Sequence, residues 1–390
     1  MPKGFSSYLD GFRFIAAVIV LVYHAMRPEM GYSGVGIPYG PDAVMAFFVL
    51  SGFVIAFVAG TKEASPADFI SSRLSRLWTV LLPAVFIVPI IDFIGMTATS
   101  APYSFSSVPM GFSHPLFRML LSATFTGEAW FWSYSLLSDG PIWSLHFEFF
   151  YYLLFTIYLF SAGYWRWTFI GITVLLFGPK MLLVMPVWIG GVLLYRLRHF
   201  LPHSLWLGAA LMVVGADAII VGHWIGLDRF WPDFLHSSPL GRSIALKLKF
   251  AANFPWMNYV GICVVVHLAG AYMVFGQAQA VPSILRRALR GLANGSFAIY
   301  LFHYPLQFMI AARLWYMQSD VDRLLLVISG SLCISFLIGL WVERLRRPLT
   351  LSINSVLRWI SARVPRLFTP HRKANTFPNV GSIILPRHTP

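Results

Sequence analysis

Charged residues are scarce in this chain. Only 11% of its 390 residues are Asp, Glu, Lys or Arg, against about 25% in soluble domains, so a surface wetted by water on all sides is excluded. Cysteine is scarcer still. Cys263 and Cys333 both fall inside apolar runs, which leaves no disulfide framework and says nothing about redox compartment. There is no glycine-rich phosphate loop, no nucleophile elbow, no zinc-spaced Cys/His set and no internal repeat. His199 and His203 stand four apart, but Pro202 interrupts them and no third ligand is near. No metal site is expected.

What is present is apolar. Hydrophobic residues make up 57% of the chain, the mean hydropathy is +0.69, and a span of bilayer needs about 20 predominantly apolar residues. Candidate spans lie at 8–27, 42–60, 77–96, 141–161, 167–179, 181–196, 204–222, 256–275, 294–314 and 322–342. The fifth and sixth are short and split by "GPK", which reads as a hairpin of tilted or partial helices. A cleavable signal peptide fits poorly, because the first run is long, is interrupted by Arg13 and lacks an A-x-A-like exit.

Basic residues outnumber acidic ones, 29 to 15. They cluster between apolar runs and toward the C-terminus, a pattern of membrane orientation rather than of nucleic-acid binding. Lys62, Arg73 and Arg76 follow the second span, Arg166 the fourth, Arg196 and Arg198 the sixth, Arg286, Arg287 and Arg290 the eighth, and Arg344, Arg346 and Arg347 the tenth. All share one side if the N-terminus is cytoplasmic, and such clusters also hold anionic headgroups or ligands. The expectation is an all-α integral membrane protein of about ten transmembrane helices with both termini cytoplasmic. Residues 1–348 form its membrane domain and 349–390 a basic tail, partly disordered. Two long segments, 97–140 and 223–255, fall on the outer side.

Ionisable residues inside these runs are costly, about 2.5–3.5 kcal/mol for an arginine at mid-span, so they should face a cavity or a partner. "RFIAAVIVLVYH" brackets an aliphatic run with Arg13 and His24. Eleven residues put them on one helix face, about 16 Å apart along the axis. Either they are a snorkelling arginine and a helix-bridging histidine, or they belong to one path. Arg73 and Arg76, at i and i+3, are either orientation charges or an anion site suited to phosphates. "PIWSLHFEFFYYLLF" sets Ser144, Glu148 and Tyr152 in one helical stripe, and "GSFAIYLFHYPL" does the same for Ser296, Tyr300 and His303. Asp217 and His267 read as structural.

Taken together, these segments resemble the membrane acyltransferase family 3. "LDGFRFIAAVIVLVYH" is similar to that family's Leu-Asp-Gly-x-Arg opening and its Arg-x10-His motif, and "DAVMAFFVLSGFVIA" to its Phe-Phe-x-Leu-Ser-Gly-Phe signature. "RLSRLWTVLLPA", "IWSLHFEFFYYLLF" and "SFAIYLFHYPL" resemble three further motifs in the same order, over residues 8–348. Phe297 stands where the family often has Tyr, Tyr151 where it often has Phe, and "ERLRRP" parts Glu343 from Pro348. The "LHFEFFYYLLF" variant looks nearest to exopolysaccharide acetyltransferases of Gram-negative bacteria.

The resemblance implies transfer of an acyl group, most often acetyl, from cytosolic acyl-CoA to a hydroxyl of a surface or exported polysaccharide or its lipid-linked precursor. The setting would be the bacterial inner (plasma) membrane. Acetyl-CoA would be a co-substrate, with no permanently bound cofactor. His24 would be the general base or a transient acyl carrier, with Arg13 and Glu148 as further catalytic residues. Arg73 and Arg76 would hold CoA phosphates, while Ser144, Tyr152, Tyr300 and His303 would bind substrate or handle protons. The competing expectation is a transporter or flippase of a lipid-linked sugar, since polar groups inside membrane helices also describe a transport path.

Overall fold

A computed structural model describes residues 1–61, 66–105, 113–276 and 281–363. The expected disordered tail, beyond 363, and Lys62 lie outside them. Among the described residues the chain is helical, without a named strand. The helices are α1 (Lys3–Ala25), α2 (Gly40–Thr61), α3 (Pro66–Met96), α4 (Pro115–Ala123), α5 (Trp143–Phe160), α6 (Gly163–Phe177) and α7 (Met185–Leu197). There follow α8 (Leu205–Trp224), α9 (Leu227–His236), α10 (Pro239–Leu248), α11 (Phe254–Phe275), α12 (Ser283–Arg313), α13 (Asp320–Val342) and α14 (Arg346–Arg363).

Among the described residues, seven segments are long and apolar enough to cross a membrane by length and composition. They are Lys3–Ala25, Gly40–Thr61, Pro66–Met96, Gly140–Phe160, Leu205–Trp224, Pro239–Phe275 and Asp320–Leu357. The other three expected spans fall on α6, α7 and α12. Helices α6 and α7 have 15 and 13 residues, because Gly178, at φ +85°, and Pro179 break the run between them. Helix α12 has 31 residues, but Ser296, His303 and Gln307 interrupt its apolar run. All three are fully buried, for α12 packs against α1, α3 and α13. Neighbouring helices, rather than lipid, are its solvent.

The outward faces have the opposite composition. Phe86, Ile90 and Phe93 on α3, Val213 and Val214 on α8, and Leu325, Leu337 and Trp341 on α13 are exposed, as a hydrocarbon surrounding requires. Inside, small residues permit close crossings. A Cβ on Gly52 of α2 would collide with the Trp188 carbonyl of α7, and one on Gly191 with the Val49 carbonyl of α2. His267, expected to be structural, bridges three helices: its Nδ1–H donates to the Met212 carbonyl at 2.8 Å and its Nε2 pairs with the Tyr8 hydroxyl at 2.5 Å.

Two segments expected as long outer loops carry structure. Residues 223–255 contain α9 and α10. Residues 113–139 contain α4 and a folded stretch tied down by Glu128, which accepts from Ser133 at 2.7 Å and pairs with Lys180 at 2.5 Å, both partners of that ion pair being buried.

Candidate active site

Helix α3 begins eleven residues before its expected start, so "RLSR" lies within a helix. The structure separates its two arginines. Arg76 turns into the bundle, whereas Arg73 borders a mostly apolar cleft of about 340 Å³ between α3 and α5, its guanidinium 5.4 Å from the centre of the Phe69 ring.

Arg76 joins Arg13 where two neighbouring spaces share lining residues. The larger, about 480 Å³, opens at the end of the bundle where α1 starts and α2 and α13 finish. Its charged lining is Asp10, Arg13, Arg76, Arg290, Glu343 and Arg346, four cations against two carboxylates. The smaller, about 50 Å³, lies deeper and is bordered by Ser51, Ser144, Glu148 and Tyr300 as well as Arg13 and Arg76. Arg13, Arg76, Ser296 and Phe297 line both, so a basic vestibule adjoins a smaller polar neck.

The neck is ordered by Glu148. Its Oε1 accepts from Ser51 Oγ at 2.6 Å and from the Tyr152 hydroxyl. Trp188 Nε1 in turn donates to Ser51 Oγ at 3.3 Å. Charge-assisted bonds of this kind are the strong ones, and they fix the carboxylate beside the two arginines. One turn earlier on α5 the Ser144 hydroxyl pairs with that of Tyr300 at 2.7 Å, and Tyr300 also donates to the Pro141 carbonyl at 3.1 Å.

His24 and His303 form a separate group at the far end of α1. Their ring centroids lie 5.2 Å apart, and Tyr304 stands 4.2 Å from His24. His303 Nδ1 is 2.9 Å from the Ile299 carbonyl. A carbonyl only accepts, so Nδ1 carries the proton and Nε2 presents a lone pair. That Nε2 is buried and meets no hydrogen-bonding protein group, and the same holds for His24 Nδ1. Tyr300 links the groups: it lines the neck, with its ring 6.2 Å from that of His303.

The expected site residues therefore fall into two clusters and an outlier. Arg13, Arg76, Glu148, Ser144 and Tyr300 border the neck, with Tyr152 bonded to Glu148 from the side of the lateral cleft; His24 and His303 meet beyond it; Arg73 borders only that cleft. Glu148 does not reach His24. Sequence reasoning left Ser51 without a role and placed Arg290 and Arg346 only among the basic clusters that set orientation. Ser51 was visible in the Phe-Phe-x-Leu-Ser-Gly-Phe stretch. Arg290 was visible as the residue four before Asn294 and seven before Phe297, one face of α12. No group of His, Cys, Asp and Glu suited to a metal occurs among the described residues.

Neither curated proteins nor solved structures compared with this chain match it. A family model described as an acyltransferase domain matches residues 6–340, which takes in both clusters and all but Glu343 and Arg346 of the charged vestibule. A multi-pass membrane protein with this helical order and this match is an acyltransferase, and the chain belongs to the membrane acyltransferase family 3.

Proposed function

We propose that the protein is an acyl-CoA-dependent O-acyltransferase. It would transfer an acetyl group from acetyl-CoA to a hydroxyl of a surface or exported polysaccharide, or of its lipid-linked precursor, at the bacterial inner membrane. The observation that carries this reading is that Arg13 and Arg76 line both the arginine-rich vestibule and the polar neck. Arginine forks suit phosphates, and the vestibule lies at the end where Arg290, Arg346 and the N-terminus gather, the cytosolic end by the distribution of basic residues.

A donor held by its phosphates in the vestibule must deliver its acyl group about 16 Å further along α1. CoA, which carries its thioester on a long flexible arm, is suited to that separation. Arg76, Arg290 and Arg346 would hold the phosphates, and Arg13 and Glu148 would guide the arm through the neck. At the far end the acceptor oxygen attacks the thioester carbonyl carbon. His24 takes the acceptor's proton, the C–S bond breaks, and CoA leaves as the thiolate and is then protonated. In the two-step variant His24 first takes the acyl group, releasing CoA, and the acceptor hydroxyl then displaces the imidazole. His303, whose Nδ1–H donates to the Ile299 carbonyl at 2.9 Å and whose Nε2 keeps a free lone pair, suits a proton relay beside His24.

Mass analysis of cell-envelope glycans from cells with and without the intact gene tests the reading. Loss of O-acetyl groups on deletion, restored by the parent gene and not by His24→Ala, is the expected result. An unchanged acylation profile would overturn the polysaccharide acceptor. A transport path for a lipid-linked sugar predicts no dependence on acyl-CoA, and the family match speaks against it.

A further inference from the structure

The turn after α1 carries a carboxylate that the reaction above does not use. Glu29 lies in the short 3-10 turn Pro28–Met30 and is fully buried. Its Oε1 accepts from Arg27 Nε at 2.7 Å and from the Tyr304 hydroxyl at 3.0 Å, while Oε2 is buried and meets no hydrogen-bonding protein group. The turn itself is firmly placed: Arg323 donates to the Gly31 carbonyl, and Ser33 Oγ donates to Asp320 Oδ2 at 2.5 Å.

Gln307, one turn beyond His303 on α12, repeats the pattern. Its Nε2 donates to the Leu21 carbonyl of α1 at 2.8 Å, while Oε1 is buried without a protein partner. His303 Nε2 is a third such atom, and His24 Nδ1 a fourth. Tyr304 ties the group together, bonded to Glu29 and with its ring tilted against that of His24 at 4.2 Å. Unsatisfied buried polar atoms are costly, so several of them on residues gathered around Tyr304 and His24 call for a ligand.

Three of the four atoms have a settled polarity. Glu29 Oε2, Gln307 Oε1 and His303 Nε2 all accept, and none can donate. A phosphate or carboxylate brings only acceptors and would face Glu29, whereas Arg27 already neutralises that carboxylate locally. The complementary ligand is neutral and offers several O–H donors within a few ångströms. Resting on the acyl-transfer reading, we propose that Glu29, Gln307 and His303 form the acceptor subsite and take a neutral sugar by two or more of its hydroxyls, one of them directed at His24.

The test uses the full chain in proteoliposomes with acetyl-CoA as donor and the methyl pyranosides of glucose, galactose and mannose, with their monodeoxy analogues, as probes. CoA thiol release is followed. At least one glycoside should raise release saturably, and loss of one particular hydroxyl should raise its KM tenfold or more. Glu29→Gln can keep the oxygen that Arg27 and Tyr304 address but turns the free position into a donor, and Gln307→Met removes the free acceptor. Each should raise the glycoside KM at least tenfold and abolish the penalty for that missing hydroxyl, with the acetyl-CoA dissociation constant within twofold of the parent.

An unaltered glycoside KM in both variants would mean that the cluster holds ordered water only, and the inference fails. It fails equally if acetyl-CoA binding weakens as much as glycoside use, which would mark a structural role. If no glycoside raises release while Arg76-dependent acetyl-CoA binding persists, the sugar subsite is overturned and the donor reading stands. Loss of that binding as well would remove both.

Discussion

The imidazoles of His24 and His303 face each other with ring centroids 5.2 Å apart, one from α1 and one from α12, and each turns a buried nitrogen to no protein partner. Two histidines so placed can share the proton of a reacting hydroxyl, because the Ile299 carbonyl holds the Nδ1–H of the second and leaves its Nε2 lone pair to accept. His24→Ala should abolish CoA release to an acceptor. His303→Gln should lower turnover by about 100- to 10,000-fold, the usual worth of a positioned acid–base group, with acetyl-CoA binding retained. Initial rates of thiol release measure both, and parent-level turnover in His24→Ala would remove that residue from the chemistry.

The two arginines of "RLSR" should behave unequally. Arg76 lines both the vestibule and the neck, whereas Arg73 borders the lateral cleft with Tyr152 and Thr156. Hydrogen bonds to charged groups are worth about 1.5–3 kcal/mol, so Arg76→Ala should weaken CoA binding by about 10- to 150-fold. Arg73→Ala should weaken it far less. Calorimetric titration of the two variants with CoA decides, and equal losses would return Arg73 to the phosphate site.

The neck can be closed without touching either end. Ser296 lies on α12 between the vestibule and the deeper cavity and is fully buried. A Ser296→Phe side chain would project into a space of about 50 Å³, enough for only a few water-sized groups. Binding of adenosine 3′,5′-bisphosphate, which carries the phosphates without the arm, should survive, while acetyl transfer should fall to background. Transfer at the parent rate would show that the acyl group travels by another route.

Much of this was legible in the sequence. The cost of Arg13 and His24 in an apolar run, and the spacing of Ser144, Glu148 and Tyr152, depend on local helical geometry, which period alone reveals. So does the stripe from Ser296 through Tyr300 to His303. What joins the stripes was not legible. That Ser51 of α2 meets Glu148 of α5, and that Glu29 meets Tyr304 across 275 residues, follow from helix packing, which periodicity does not encode. Helix α12 shows the converse limit. Its polar residues lower its hydropathy because it is sheathed by α1, α3 and α13, so a scale built for lipid-facing helices undervalues it.

The last expectation concerns the folded segment opposite the vestibule. Lys180 Nζ lies 2.5 Å from Glu128 Oε2 and 2.6 Å from the Trp132 carbonyl, and Ser133 holds the other carboxylate oxygen. Burial raises the Glu128 carboxyl above its ordinary range, and Lys180 opposes that shift. Removing the lysine alone leaves a buried carboxylate without its counter-charge, which typically costs about 3–5 kcal/mol, whereas replacing both partners by apolar groups of similar size is often neutral. Lys180→Met should therefore lower the thermal midpoint of the detergent-solubilised protein clearly, and Lys180→Met combined with Glu128→Leu should recover most of the loss. If the double variant is no more stable than the single one, the pair is not what holds this segment in place, and the hydrogen bond from Lys180 to Trp132 carries its stability instead.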